Sequence, residues 1–110
     1  MSSSASNGKS MLHVVNKSPL ERKALDTCLR VARPGSGVLL IEDGIFAAVK
    51  GTAAATSLKQ ADGAGVTVYA LWPDVEARGM QDRILDGVKM VDYGGFVDLV
   101  AEHATVQSWL

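Results

Sequence analysis

The apolar positions along this chain fall into short blocks whose period alternates between strand and helix. Leu12 to Val15 is a brief apolar run of strand type. Ser18-Pro19-Leu20-Glu21 combines three helix-start signals: a capping serine, a proline suited to the first helical position, and a glutamate three residues after the cap. Leu25, Cys28, Leu29 and Ala32 follow at i, i+3, i+4 and i+7, one helical stripe, and Pro34-Gly35-Ser36-Gly37 ends that helix. Val38 to Ile41 is a continuous apolar run and predicts a strand buried on both faces. Glu42-Asp43-Gly44 turns the chain, and the Ala-rich stretch from Ile45 to about Thr56, with Ile45, Ala48 and Val49 on one side, predicts a second helix. Gly63 to Gly65 is a loop, Val66 to Leu71 a third strand, and Pro73 and Asp74 open a short helix that Gly79 closes. Val88 to Val91 is a fourth strand. Asp92 is placed to cap a last helix running to about His103, with Phe96, Leu99 and Val100 on its apolar side, and Thr105 to Leu110 suits a short edge strand.

Strands alternating with helices through short connections specify an α/β domain. The expected architecture is a single three-layer unit, a mostly parallel sheet of four or five strands with helices on both faces and right-handed crossovers. The expected strand order is flavodoxin-like, 2-1-3-4. Residues 1–10, Met-Ser-Ser-Ser-Ala-Ser-Asn-Gly-Lys-Ser, hold no apolar stretch of secretory type. They are expected to form a disordered polar tail, with the folded domain covering 11–110.

Composition narrows the function classes. The 110 residues are 47% hydrophobic and 21% charged, which suits one packed core. Eleven basic and twelve acidic residues leave a net charge of −1, with no electrostatic footprint for direct nucleic-acid binding and no polybasic segment for a membrane surface. The longest apolar runs, such as Ile45 to Val49, are far too short to span a bilayer. One cysteine, Cys28, rules out an intrachain disulfide framework and any CxxC pair, and a lone thiol is expected of a cytoplasmic protein.

A parallel sheet presents ligand-binding groups at the carboxyl ends of its strands. Here these are Asn16, Lys17, Glu42, Asp43, Gly44, Trp72, Pro73 and the Asp92 to Gly95 block. No phosphate loop is among them. Gly35-Ser36-Gly37 precedes a strand instead of following one, so it cannot aim helix N–H groups at a pyrophosphate, and no cofactor site is expected. Glu42 and Asp43 are adjacent and point apart; Asp43 is expected to cap the second helix and Glu42 to be solvated. His13, among apolar neighbours, is expected to be structural. His103, in the last turn of a helix, is where a cation is favourable, and no metal-ligand spacing exists. Cys28 is the one strong nucleophile, yet it sits mid-helix on the apolar stripe, where an inert, at least partly buried thiol is expected. Trp72, Tyr93, Phe96 and Trp109 near element ends suit interface anchors, which leans the reading toward a subunit of something larger.

Several blocks in order then carry a resemblance. Met11 to Pro19 (Met-Leu-His-Val-Val-Asn-Lys-Ser-Pro), Leu39 to Ala48 (Leu-Leu-Ile-Glu-Asp-Gly-Ile-Phe-Ala-Ala), Val68 to Gly79 (Val-Tyr-Ala-Leu-Trp-Pro-Asp-Val-Glu-Ala-Arg-Gly), Val91 to Leu99 (Val-Asp-Tyr-Gly-Gly-Phe-Val-Asp-Leu) and Thr105 to Leu110 (Thr-Val-Gln-Ser-Trp-Leu) resemble the DsrH/TusB family of DsrE-like proteins, nearer to DsrH in detail. The resemblance implies one of three related subunits, with DsrE/TusD-like and DsrF/TusC-like partners, in a hetero-hexamer holding two copies of each. Such complexes relay sulfane sulfur as a cysteine persulfide. They pass it to a DsrC-like acceptor in sulfur oxidation, or through a TusE-like acceptor to 2-thiolation of the tRNA wobble uridine. The resemblance puts the transfer cysteine on the DsrE/TusD subunit, just after strand three; aligned on Arg78-Gly79, that place here is Leu71 or Trp72. It also matches Cys28 to a helix-one cysteine of DsrH-like chains. Three readings result: a structural or auxiliary relay subunit serving sulfur oxidation first, a direct persulfide carrier through Cys28, and a stand-alone small-molecule-binding domain, which the missing phosphate loop disfavours.

Overall fold

Each apolar run becomes a strand only where a neighbour takes up its backbone groups, and the sheet is built that way. The computed structural model describes residues 11–20 and 23–109. The expectations for residues 1–10, Glu21 and Leu110 lie outside them. Five strands, β1 (Met11–Val15), β2 (Gly37–Leu40), β3 (Thr67–Leu71), β4 (Lys89–Val91) and β5 (Thr105–Trp109), pair in parallel in the order β4-β3-β2-β1-β5. Four α-helices connect them: α1 (Ala24–Val31), α2 (Ala53–Gly63), α3 (Trp72–Ala77) and α4 (Tyr93–Glu102). The three-layer parallel architecture is the expected one. The strand order is not: the chain steps outward from β1 to β4 in one direction, then returns across the whole sheet to place β5 on the far side of β1.

That path decides the layers. Successive right-handed crossovers in one direction put α1, α2 and α3 on one face, and the single return puts α4 on the other. Packing agrees. Val15, Val38, Leu40, Val68 and Ala70 form one cluster with Leu25 and Cys28 of α1, Leu58 of α2 and Val75 of α3. Leu12, Val14, Leu39 and Tyr69, facing the other way, meet Leu99 and Phe96 of α4. β2, as predicted, is buried along its whole length.

Two helix starts differ from expectation. The signals at Ser18-Pro19 do not open α1, which begins at Ala24 with no side-chain cap on Lys23; Ser18 Oγ instead accepts the Leu20 N–H (3.2 Å) in a local turn. The second helix is not continuous from Ile45. Glu42–Ala48 is a tight 3-10 segment, Gly51 turns the chain with φ +85°, and α2 begins after Thr52, whose side chain accepts from Ala55 N (3.1 Å). The break lets the 3-10 segment bind the loop before β4: Leu85 N donates to Ala48 O and Lys50 N to Arg83 O, both 2.8 Å. Other termini form as read. Gly79 (φ +67°) closes α3, and Asp92 Oδ1 accepts from Gly95 N at 2.8 Å to cap α4. Val100, expected on the apolar side of α4, is instead exposed.

Candidate functional site: the carboxyl edge of the sheet

β1, β2 and β3 end side by side, and the residues just beyond them are locked together by polar contacts. Ile41 N bonds Val15 O (3.0 Å), which draws the β2 exit against β1. Gly44 sits directly on the Val15 carbonyl, where any Cβ would collide with backbone. Glu42 takes a left-handed conformation (φ 50°), sparsely populated for a residue with a side chain. It is held there from two sides: its N–H donates to Asp74 Oδ2 (2.6 Å), and its Oε1 accepts from Asn16 Nδ2 (3.4 Å). Asp43 Oδ1 accepts from Arg78 Nε (3.0 Å), and Arg78 Nη1 donates to Asp74 O (3.2 Å). Asn16 Oδ1 is buried and is left without a partner.

These contacts correct two expectations. Asp43 does not cap the second helix; it is the partner of Arg78. Glu42 is not simply solvated; it is a backbone corner strapped to β1 and α3. Asp74, read only as a helix-opening residue, and Arg78, used only to align the chain with the family, are the anchors of the edge. Their i, i+4 spacing was the visible signal, but their partners lie more than thirty residues away in sequence. Chemically the edge is occupied with itself: Asp43 is answered by the Arg78 guanidinium, Asp74 by the Glu42 N–H and Glu42 by the Asn16 amide. Among the described residues no group of three or more His, Cys, Asp or Glu side chains could hold a metal ion.

Leu71 is the last residue of β3 and is buried; Trp72 begins α3, with Pro73 next to it. A cysteine here would lie at a helix start and at the open edge, a setting that lowers a thiol pKa. This chain has no thiol there. Its Cys28 lies in the α1–sheet cluster with 0% exposure, and burial pushes its pKa up to about 12. The thiolate is the nucleophilic form, so this position withholds both the reactive species and access to it.

The histidines do structural work. His103 is buried, and its Nδ1–H donates to Leu99 O (2.7 Å), tying off the end of α4. His13 is 2% exposed, and its Nδ1 accepts the Trp109 indole N–H (3.1 Å), joining β1 to β5 by side chains as well as backbone. Burial lowers its pKa below the ordinary 6.5. The unfolded chain therefore takes up this proton more readily than the folded one. Stability is full above pH of about 6.5 and falls as pH drops below it, levelling off beneath the lowered folded pKa. Protonation also removes the acceptor for Trp109, a bond worth about 1 kcal/mol. Urea midpoints measured from pH 8 to 5 should show this decline, and His13→Gln should flatten it. An unchanged slope in the variant would remove His13 as its cause.

A family model described as DsrH like protein matches residues 17–106, nearly the whole described chain. The chain belongs to the DsrH family. Among curated DsrH-family relatives, Protein TusB of Pectobacterium parmentieri is 37% identical over 99 residues, covering 90% of this chain and all of that one. Protein TusB of Salmonella dublin is 40% identical over 81 residues, covering 74% of this chain and 82% of its own. Among solved structures, the YchN protein from E. coli superposes with a TM-score of 0.81 at 17% identity, covering 91% of this chain and 98% of that one. A protein of unknown function, MTH1491 from Methanobacterium thermoautotrophicum, follows at 0.68 and 18%, covering 88% and 97%. These likenesses establish the fold. For a DsrH-family chain, the geometry at Leu71–Trp72 and Cys28 is the informative part. No helix among the described residues is long and apolar enough to cross a membrane.

Proposed function

We propose that this DsrH-family chain is an auxiliary subunit of a sulfur-relay complex of the DsrEFH/TusBCD type. It completes a hetero-hexamer with DsrE/TusD-like and DsrF/TusC-like subunits and shapes the surface on which a DsrC/TusE-like acceptor docks. The observation that carries the auxiliary role is the carboxyl edge itself. The place after β3, where the family resemblance puts the persulfide-bearing cysteine of a sister subunit, holds Leu71 and Trp72, and the one thiol of this chain is sealed in the core. Relay through Cys28 would need a thiolate at the surface, and the burial of this thiol, with its raised pKa, supports the auxiliary reading instead. The TusB names of the relatives favour the tRNA-thiolation branch over the sulfur-oxidation branch that the sequence resemblance put first. A single free thiol suits a reducing compartment, and the proposed location is the cytoplasm. The net charge of −1 supports sulfur delivery through protein acceptors, without direct contact to nucleic acid.

The test uses the three co-expressed subunits, with either the wild-type chain or Cys28→Ala. Persulfide delivery to the acceptor is followed by mass spectrometry. Both complexes should assemble and deliver at similar rates. Normal assembly with delivery abolished in Cys28→Ala would make Cys28 a relay station. Elution of the three wild-type proteins as separate monomers on a sizing column would sink the subunit reading altogether.

A further inference from the structure

The sheet is covered unequally. Among the described residues, three helices and the 3-10 segment bury one face, whereas α4 crosses the other on its way from β4 at one edge to β5 at the opposite edge. Four strand spacings amount to about 19 Å, and a ten-residue helix is about 15 Å long, so α4 is spent on the crossing, and the edge strands β4 and β5 stay largely exposed. A parallel sheet ordinarily has both faces covered.

The outward side of α4 is the wrong composition for water. Helical spacing turns Phe96, Leu99 and His103 toward the sheet and Gly94, Val97 and Ala101 away from it, with Tyr93 and Val100 on one flank. Tyr93 is 62% exposed, Val97 68% and Val100 41%. Val106 of β5 pairs with Leu12, so it shares this face, and it is 43% exposed. The small residues Gly94 and Ala101 on either side of Val97 allow a partner backbone to come close. The other flank carries Asp98, and α4 has no lysine or arginine. The strands add one base to this face, Lys89 at the β4 edge, in register with Tyr69.

We propose that the outer face of α4, centred on Val97 and continued by Tyr93, Val100 and Val106, docks a sister subunit whose matching face is apolar at its centre and basic at its rim. The inference rests on the relay-subunit reading and adds to it the surface used. Charge selects the occupant. A two-fold contact between copies that packs α4 antiparallel on itself sets the two Asp98 flanks on the same side, with no lysine or arginine on either helix. A partner with lysine or arginine at the rim answers that charge and gains steering and specificity.

The test measures assembly of the full-length chain with its two paralogous subunits, by sizing column and by titration at two salt concentrations. Three variants are compared: Val97→Glu, Asp98→Lys and, as a control on the opposite side of the molecule, the exposed Val31→Glu of α1. Circular dichroism melting checks that each folds. The expected result is tenfold or greater weakening by Val97→Glu, weakening by Asp98→Lys with a smaller salt dependence, and no change for Val31→Glu. Wild-type-like assembly of folded Val97→Glu would overturn the proposed surface while leaving the subunit reading in place. Failure of the wild-type chain to join any complex would overturn that reading and this surface with it. A dimer of the chain alone, broken by Val97→Glu, would show that the occupant is a second copy and overturn the choice of partner.

Discussion

Gly44→Ala should be among the most damaging single substitutions in this protein. The added methyl would be driven into the Val15 carbonyl oxygen and carbon, which are strand backbone and cannot rotate away as a side chain can. Relief requires pulling the β2 exit off β1, which would strain the Ile41 N–Val15 O bond and the adjoining Glu42 corner. Overpacking against fixed atoms costs about 3 kcal/mol or more, a fall in melting temperature of roughly 10–15 °C for a domain this size. Gly63→Ala is the matched control. Gly63 ends α2, and a Cβ there meets nothing within 4 Å, so alanine should leave stability unchanged or raise it by about 0.5–1 kcal/mol. Equal melting temperatures for the two variants would refute the close approach at Gly44.

The second large effect is Leu40→Ala. Leu39 and Leu40 are neighbours on β2, both with 0% exposure, and they point to opposite faces. Leu40 lies under the side built by three helices and the 3-10 segment, where α1, α2 and the Ala48–Leu85 contact hold one another apart and a cavity cannot collapse. Among the described residues Leu39 lies under α4, which can settle by a small shift. Truncating Leu40 should cost about 3–5 kcal/mol, and truncating Leu39 about 2–3 kcal/mol. Chemical denaturation of the isolated chain measures both. A larger loss for Leu39 would mean that α4 is clamped as firmly as the three-helix side.

Burial of the β2 run was legible because a short, continuous apolar block between turn residues has few other uses. The cap at Asp92 was legible because its bond reaches only to Gly95. The burial of Cys28 was legible too, since a cysteine in register with Leu25 and Leu29 has to face whatever that helix packs against. The helix start at Ser18 was misread for a related reason: Ser18 does use its hydroxyl locally, but on Leu20, in a turn that sequence spacing does not distinguish from a cap. The second helix was misread because Ile45 to Thr56 has helical composition throughout. What interrupts it is the pairing of Ala48 and Lys50 with Leu85 and Arg83, a contact between segments more than thirty residues apart.

The sequence by itself determined the alternation of strands and helices, hence a parallel sheet with covering helices, and it determined that no reactive thiol stands at the end of β3. Both are local matters, settled by period, by turn residues and by which side chain occupies one position. Strand order was decided only in three dimensions. Parallel strands carry the same kind of apolar run whatever their neighbour, so nothing in β3 says whether it will lie beside β1 or beyond β2. The same holds for the carboxyl edge, where Asp74 takes the Glu42 N–H and Arg78 takes Asp43, and for the exposed side of α4. Those partnerships follow from which strand ends are adjacent, and from one helix having to cross a face that three helices share on the other side.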